Sequence, residues 1–240
     1  MKKMFSEFTG NAHVETWDTR NVIDMSHMFQ NATQFNADLS GWKTGSVRTM
    51  RGMFSGAARF ECDIGNWDTS NVEDMSSMFN GALSFNANLS RWNTGSVRTM
   101  SRMFSVAEKF NGGILKWNTS QVTDMSYMFA GAARFNGDIR TWDTSNVRSM
   151  KAMFFMAKRF DQDIGGWKTG NVTDMTQMFQ GAKAFNRRLK WDTRSVQVHN
   201  GMFDGAPYMT EENQPEFPDS AASHDSAASF GGRQGGRAYL

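Results

Sequence analysis

The chain is poor in the residues that usually hold or punctuate a small fold. It has one cysteine, Cys62, and three prolines, Pro207, Pro215 and Pro218, all close to one another. A lone cysteine cannot close an internal disulfide, so no cross-link supports the fold. A disulfide-free chain fits a reducing compartment. Charge of one sign is also missing: 26 Lys and Arg against 24 Asp and Glu leave a net charge of +2. That excludes the strong field that draws a chain to nucleic acid or acidic lipid. No stretch approaches the ~18–20 apolar residues of a membrane span, so direct membrane insertion is not expected. Lys2 and Lys3 are not followed by the apolar run of a secretory signal; the expectation is an intracellular location. H-E-x-x-H, C-x-x-C and Walker-type glycine loops are absent. The four histidines, His13, His27, His199 and His224, are scattered, so no metal, cofactor or catalytic constellation is expected.

What the chain has is one phrase, repeated. All eight tryptophans, Trp17, Trp42, Trp67, Trp92, Trp117, Trp142, Trp167 and Trp191, fall 25 residues apart, with a last interval of 24. Counting from each Trp, Thr recurs at +2 and Val at +5, as in Thr19 and Val22. M-x-x-M-F follows, as in Met25, Met28 and Phe29. Ala stands at +15 (Ala32), Phe at +18 (Phe35) and Leu or Ile at +22 (Leu39). Such spacing is the mark of a stacked repeat array in which neighbours supply the walls of one core. The expected organisation is a degenerate N-terminal cap over 1–16, eight repeats over 17–206 and a low-complexity tail over 207–240. The tail holds Glu211, Glu212, Glu216, Asp219 and Asp225 against Arg233 and Arg237 and reads DSAASHDSAASF before turning glycine-rich. Alone it lacks the apolar surface to order itself; a partner surface is one thing that would hold it.

Within a repeat, Met25, Met28, Phe29 and Ala32 are spaced i, i+3, i+4, i+7, which predicts a helix of about two turns. Asp24 and its equivalents precede it as N-caps. At +14, five of eight repeats carry Gly and one carries Asn31, suited to a left-handed helix end. Short parallel strands are expected around Leu39 and Val22. The predicted fold class is an α/β solenoid, a stack of eight 25-residue windings with short strands and a short helix in each.

The phrase W-D-T-S-N-V-x-D-M-S-x-M-F-x-G-A-x-x-F-N-x-D-[LI]-S-x-W resembles the repeat of about 25 residues of BspA-like leucine-rich-repeat surface proteins. The likeness runs from Trp17 to Ala206. It implies a right-handed leucine-rich-repeat-like stack and a role in adhesion or protein binding, without catalysis.

The remaining polar rows are read in the same way. The Thr row at +2 suits turn stabilisation, the alternative being a flat hydroxyl array of the ice-binding kind. The acidic row at +21, Asp38, Asp63, Asp138 and Asp163, is interrupted by Asn88, Gly113 and Arg188, which speaks against calcium bound between windings. The +19 row of Asn36, Asn86, Asn111, Asn136 and Asn186 suits a side-chain ladder onto turn backbone. Alternation of Arg48, Glu73 and Arg98 avoids stacked like charges. The candidate partner-binding residues are basic: Arg59, Lys109, Arg134 and Arg159 at +17, Lys158 and Lys183 at +16, with Arg187 and Arg188 nearby. No aromatics interleave them, so nucleic acid is not expected. The functional expectation is a non-enzymatic protein-binding scaffold or assembly subunit. The alternatives are a surface adhesin or a repetitive array for ice or calcium.

Overall fold

The structure, a computed structural model, describes residues 1–8 and 13–218. The repeats do stack. Like side chains of successive windings lie on one another along the whole array and enclose a single apolar interior. The Phe29 row (Phe29, Phe54, Phe79, Phe104, Phe129, Phe154, Phe179, Phe203) steps at 5.5–5.8 Å between ring centroids, with rings within 12° of parallel. The Phe35 row steps at 5.8–6.1 Å. The two rows meet face to face within each winding at 3.8–4.1 Å. From Trp42 onward the indoles are buried. Each donates its N–H to the carbonyl of the Leu/Ile row one winding below, Val14 standing in at the start, over 2.9–3.2 Å. Offset ring stacking and a satisfied indole N–H together favour this one register over a one-residue slip.

The α/β expectation is overturned. Among the described residues the windings contain neither α-helix nor strand; the one helical element is a 3₁₀ turn at Glu211–Asn213. Pairing between windings stays at isolated parallel bridges, running Asp24–Thr49–Asp74–Thr99–Asp124–Ser149–Asp174–Val198. Residues 25–32 show why. His27 and Asn31 sit in the left-handed region at φ 56° and 58°, which no continuous helix admits. The residues equivalent to them, such as Ser77, Arg102, Tyr127, Gly56 and Gly81, do the same. The segment is a run of overlapping turns. Met28, Gln30 and Ala32 donate three residues back, to the carbonyls of Met25, His27 and Phe29. Met25, His27, Phe29 and Asn31 donate across to Thr49, Arg51, Met53 and Ser55 of the next winding. Ser26 donates to the Asp24 carboxylate. All of these amides are thereby paired, whereas an isolated two-turn helix leaves its first four amides without internal partners. Tandem repetition makes the turn ladder possible, because every outward-facing amide finds a carbonyl one period away.

The apolar periodicity nevertheless identifies the interior: Met25, Met28, Phe29 and Ala32 are all fully buried. Asp24 accepts from Ser26 as a turn-former rather than a helix cap. The glycines at +14 are left-handed, at φ 67–73°, but they continue the ladder instead of ending a helix.

At the N-terminal end, residues 3–7 form a partial winding. Lys3, Phe5 and Glu7 donate to Ser26, Met28 and Gln30, and Phe5 stacks on Phe29 at 5.6 Å. At the other end the stack runs past residue 206. Leu189 donates to the Asn213 carbonyl, the Thr193 hydroxyl to Glu216, and Phe217 stacks on His199 at 3.9 Å. The DSAASHDSAASF phrase and the glycine-rich stretch lie outside the described residues.

Candidate partner-binding edge

The sequence reads its repeated polar rows mainly as structural, and the geometry gives most of them a structural place. The Thr row is buried, at 0–6 % exposure. From Thr19 to Thr169 each hydroxyl donates to the carbonyl of the residue that precedes the equivalent Thr one winding on, Thr19 to Lys43 and Thr94 to Asn118, for instance, at 2.9–3.0 Å. Buried hydroxyls present no flat face to a surface ligand. The +21 carboxylates accept from the amide two residues on: Asp38 from Ser40, Asp63 from Gly65, Asp138 from Arg140 and Asp163 from Gly165. Among the described residues no three His, Cys, Asp or Glu side chains converge on a point where a metal would sit. The +19 ladder is present: Asn86, Asn111 and Asn136 accept the amides of Asn111, Asn136 and Asp161 at 2.7–2.9 Å. Arg48 pairs with Glu73 at 2.9 Å. Cys62 is half-buried, with its thiol pushed up from the ordinary value chiefly by burial, which disfavours the reactive thiolate.

The predicted basic residues are all exposed. Lys109, Arg134 and Arg159 occupy +17 in three consecutive windings, with Lys158 and Lys183 beside them at +16. Arg59 stands apart, separated from Lys109 by Ser84 in the intervening winding. Arg187 is engaged by Asp161, its Nη2 at 2.6 Å from Oδ2. Arg188 borders a different recess, with Glu211, Glu212 and Glu216.

Two residues along the chain from Lys158 and Lys183 lies a feature the repeat reading passed over. An open, largely apolar groove of about 480 Å³ is lined by Tyr127, Phe155, Met156, Gln180, Gly181 and Gly205, among others. Tyr127 stands in a column otherwise filled by His27, Gly52, Ser77, Arg102, Ala152, Gln177 and Gly201, and Phe155 in one of Gln30, Ser55, Asn80, Ser105, Ala130, Gln180 and Asp204. They are the columns' only aromatic residues apart from His27. Met156 occupies a position where five repeats have Gly, keeps φ at 56° and remains 38 % exposed. A side chain held there carries roughly 1–2 kcal/mol of backbone strain. Gly181 makes room for it: a Cβ at that glycine would fall 2.4 Å from the Met156 sulfur. Arg102 lies over the Tyr127 ring at 4.2 Å and fixes one side of the groove. Gln180 Oε1 is buried and has no hydrogen-bond partner, an acceptor waiting at the groove for a donor. The signal in the sequence was the departure of these columns from their consensus, not the repeat itself.

A family model described as "Mycoplasma protein of unknown function, DUF285" matches the chain twice, over residues 1–117 and 100–215. No curated protein and no solved structure matches the chain.

Proposed function

Because the chain belongs to this DUF285 family, whose description assigns no activity, we propose a function from the geometry of the groove: a non-enzymatic repeat scaffold that binds an acidic segment of a partner protein. The observation that carries it is the strained, exposed Met156 set with Tyr127 and Phe155 in one apolar groove. Strain kept at an exposed site points to use. Arg134, Lys158, Arg159 and Lys183 flank the groove in sequence and are exposed, which favours an acidic partner over a neutral one. The recurrence of the same polar rows from winding to winding supports the non-enzymatic reading. The likeness of the repeat to BspA-like surface proteins supports protein binding in general.

The test is fluorescence anisotropy with a labelled peptide alternating Glu and Phe and with its Lys-for-Glu counterpart. Saturable binding of the acidic peptide alone, weakened by salt and lost in Lys158→Glu/Lys183→Glu, is expected. Met156→Gly removes the side chain while relieving the backbone, so it should weaken binding without lowering stability. Equal binding of both peptides, or none, overturns the proposal.

A further inference from the structure

The two ends of the stack carry unpaired backbone groups of opposite kind. In the interior, the amides at +10, +12 and +14 donate to the next winding, as Gly52, Phe54 and Gly56 donate to Ser76, Met78 and Asn80. In the last winding the same positions are Gly201, Phe203 and Gly205. Their amides have no acceptor among the described residues. At the other end, the carbonyls of Lys2, Met4 and Ser6 hold the places of the interior acceptors, one winding below the carbonyls of Ser26, Met28 and Gln30, which accept the amides of Lys3, Phe5 and Glu7. They have no donor among the described residues.

The side chains match as well. Phe203 continues the Phe row, stacked on Phe179 at 5.6 Å, and its far side opens on a recess of about 350 Å³ shared with Gln214 and Phe217. Phe5 begins the same row. Beside it, Met4 is 52 % and Phe8 38 % exposed. Lys2 and Lys3 are exposed at the donor-seeking end, and Asp204, Glu211, Glu212 and Glu216 at the other. Glu7 tempers the first set, and Arg188 and Lys190, which share a recess with Glu211, Glu212 and Glu216, temper the second; the end with free carbonyls stays basic by one charge and the end with free amides acidic by two.

We infer that the occupant of each end is a second copy of this chain, docked head to tail. The carbonyls of Lys2, Met4 and Ser6 of one copy accept the amides of Gly201, Phe203 and Gly205 of another. The Phe row then runs through the junction in the register it keeps inside each copy. The contact joins two different surfaces, so it does not close on itself, and repetition gives an open filament. An unpaired backbone edge is a template for such addition, and the charge difference fixes its polarity. This inference is independent of the groove at Met156.

Sedimentation velocity on the full chain tests it. The weight-average sedimentation coefficient should rise with concentration at low salt and fall back as salt is added. Lys3→Glu/Met4→Glu, both on exposed residues, blocks one end; Phe203→Asp blocks the other. Each variant alone should remain monomeric, and an equimolar mixture should stop at the dimer, because one free end of each kind is left. Unchanged near-ultraviolet circular dichroism of the tryptophans establishes that the variants fold; the first pair tests the idea even if Phe203→Asp does not. Wild-type protein that stays monomeric at every concentration overturns the inference. That includes the case in which the Phe203 amide is protected from exchange in the monomer, which would assign the end to the chain's own residues 219–240. Self-association that survives either block overturns it too, since it would mean a different surface.

Discussion

Windings four and eight share the frame of the repeat, with Trp, Thr, Val, Met-Phe and Ala in the same places, and differ in what lies above them. Trp92 stacks on Trp117 at 6.2 Å and is 3 % exposed; Trp191 has its stacking partner, Trp167, only below it, and is 7 % exposed. In winding four the amides of Arg102, Phe104 and Val106 reach Ser126, Met128 and Ala130. The equivalent amides of winding eight, Gly201, Phe203 and Gly205, reach nothing among the described residues. The difference shows where the stability of such a chain resides. Each winding contributes a floor and borrows a ceiling, and only an interior winding has both.

The largest effect should come from removing an interior indole. Trp92→Ala is expected to cost about 3–5 kcal/mol, from lost burial and the cavity left between two occupied windings. Trp191→Ala should cost clearly less, and chemical denaturation of the two variants compares them directly; equal losses would erase the distinction between middle and end. Next in size is the buried hydroxyl row. Thr94→Val keeps the shape but leaves the Asn118 carbonyl without its donor, a loss of about 1–3 kcal/mol by the same measurement. Smaller, and of opposite sign, is Val106→Gly. Val106 is held at φ 57°, and relief of about 1–2 kcal/mol of strain, set against about 0.5–1 kcal/mol of extra chain entropy for glycine, should raise the denaturation midpoint slightly. The smallest is a pH effect at the first winding. Burial, then the nearby Arg51, lowers the pKa of His27 below its ordinary value, and its Nδ1 is buried without a partner. A lowered histidine pKa means that the folded state prefers the neutral ring. Its contribution is full above about pH 6.5 and is lost as pH falls toward the folded pKa. His27→Asn, which tolerates the left-handed backbone, should flatten the stability loss between about pH 7 and about pH 5.

The rows that face inward were legible because a fixed spacing can recur only where equivalent residues meet equivalent surroundings. Val47, Met50, Phe54, Ala57, Phe60 and Ile64 all proved fully buried. The backbone beneath them was not legible. The spacing i, i+3, i+4, i+7 describes which side chains turn inward, and overlapping turns produce it as well as a helix does. The +14 column announced its left-handed residues through five glycines, but the +10 column, with only Gly52 and Gly201, scarcely did, since His27, Ser77, Arg102, Tyr127 and Gln177 adopt φ near 56° as well. Their conformation is imposed by bonds to another winding, which no local window contains. The Thr row misled for a related reason: a hydroxyl that looks like a surface turn residue is buried once a neighbouring carbonyl lies 24 positions away. The basic residues named from the sequence are exposed. The groove beside them was missed, because it is made by exceptions to the repeat, Tyr127, Phe155 and Met156, rather than by the repeat.

The central claim is that alternate amides of each winding bond to the next one. Residue-resolved amide hydrogen exchange within winding three tests it most directly. Met75 and Ser77 donate to the carbonyls of Thr99 and Ser101, so both amides should be strongly protected. In a helix beginning at Met75 they would belong to the first turn, and finding them in fast exchange while Phe79 and Asn80 stay protected would contradict the account.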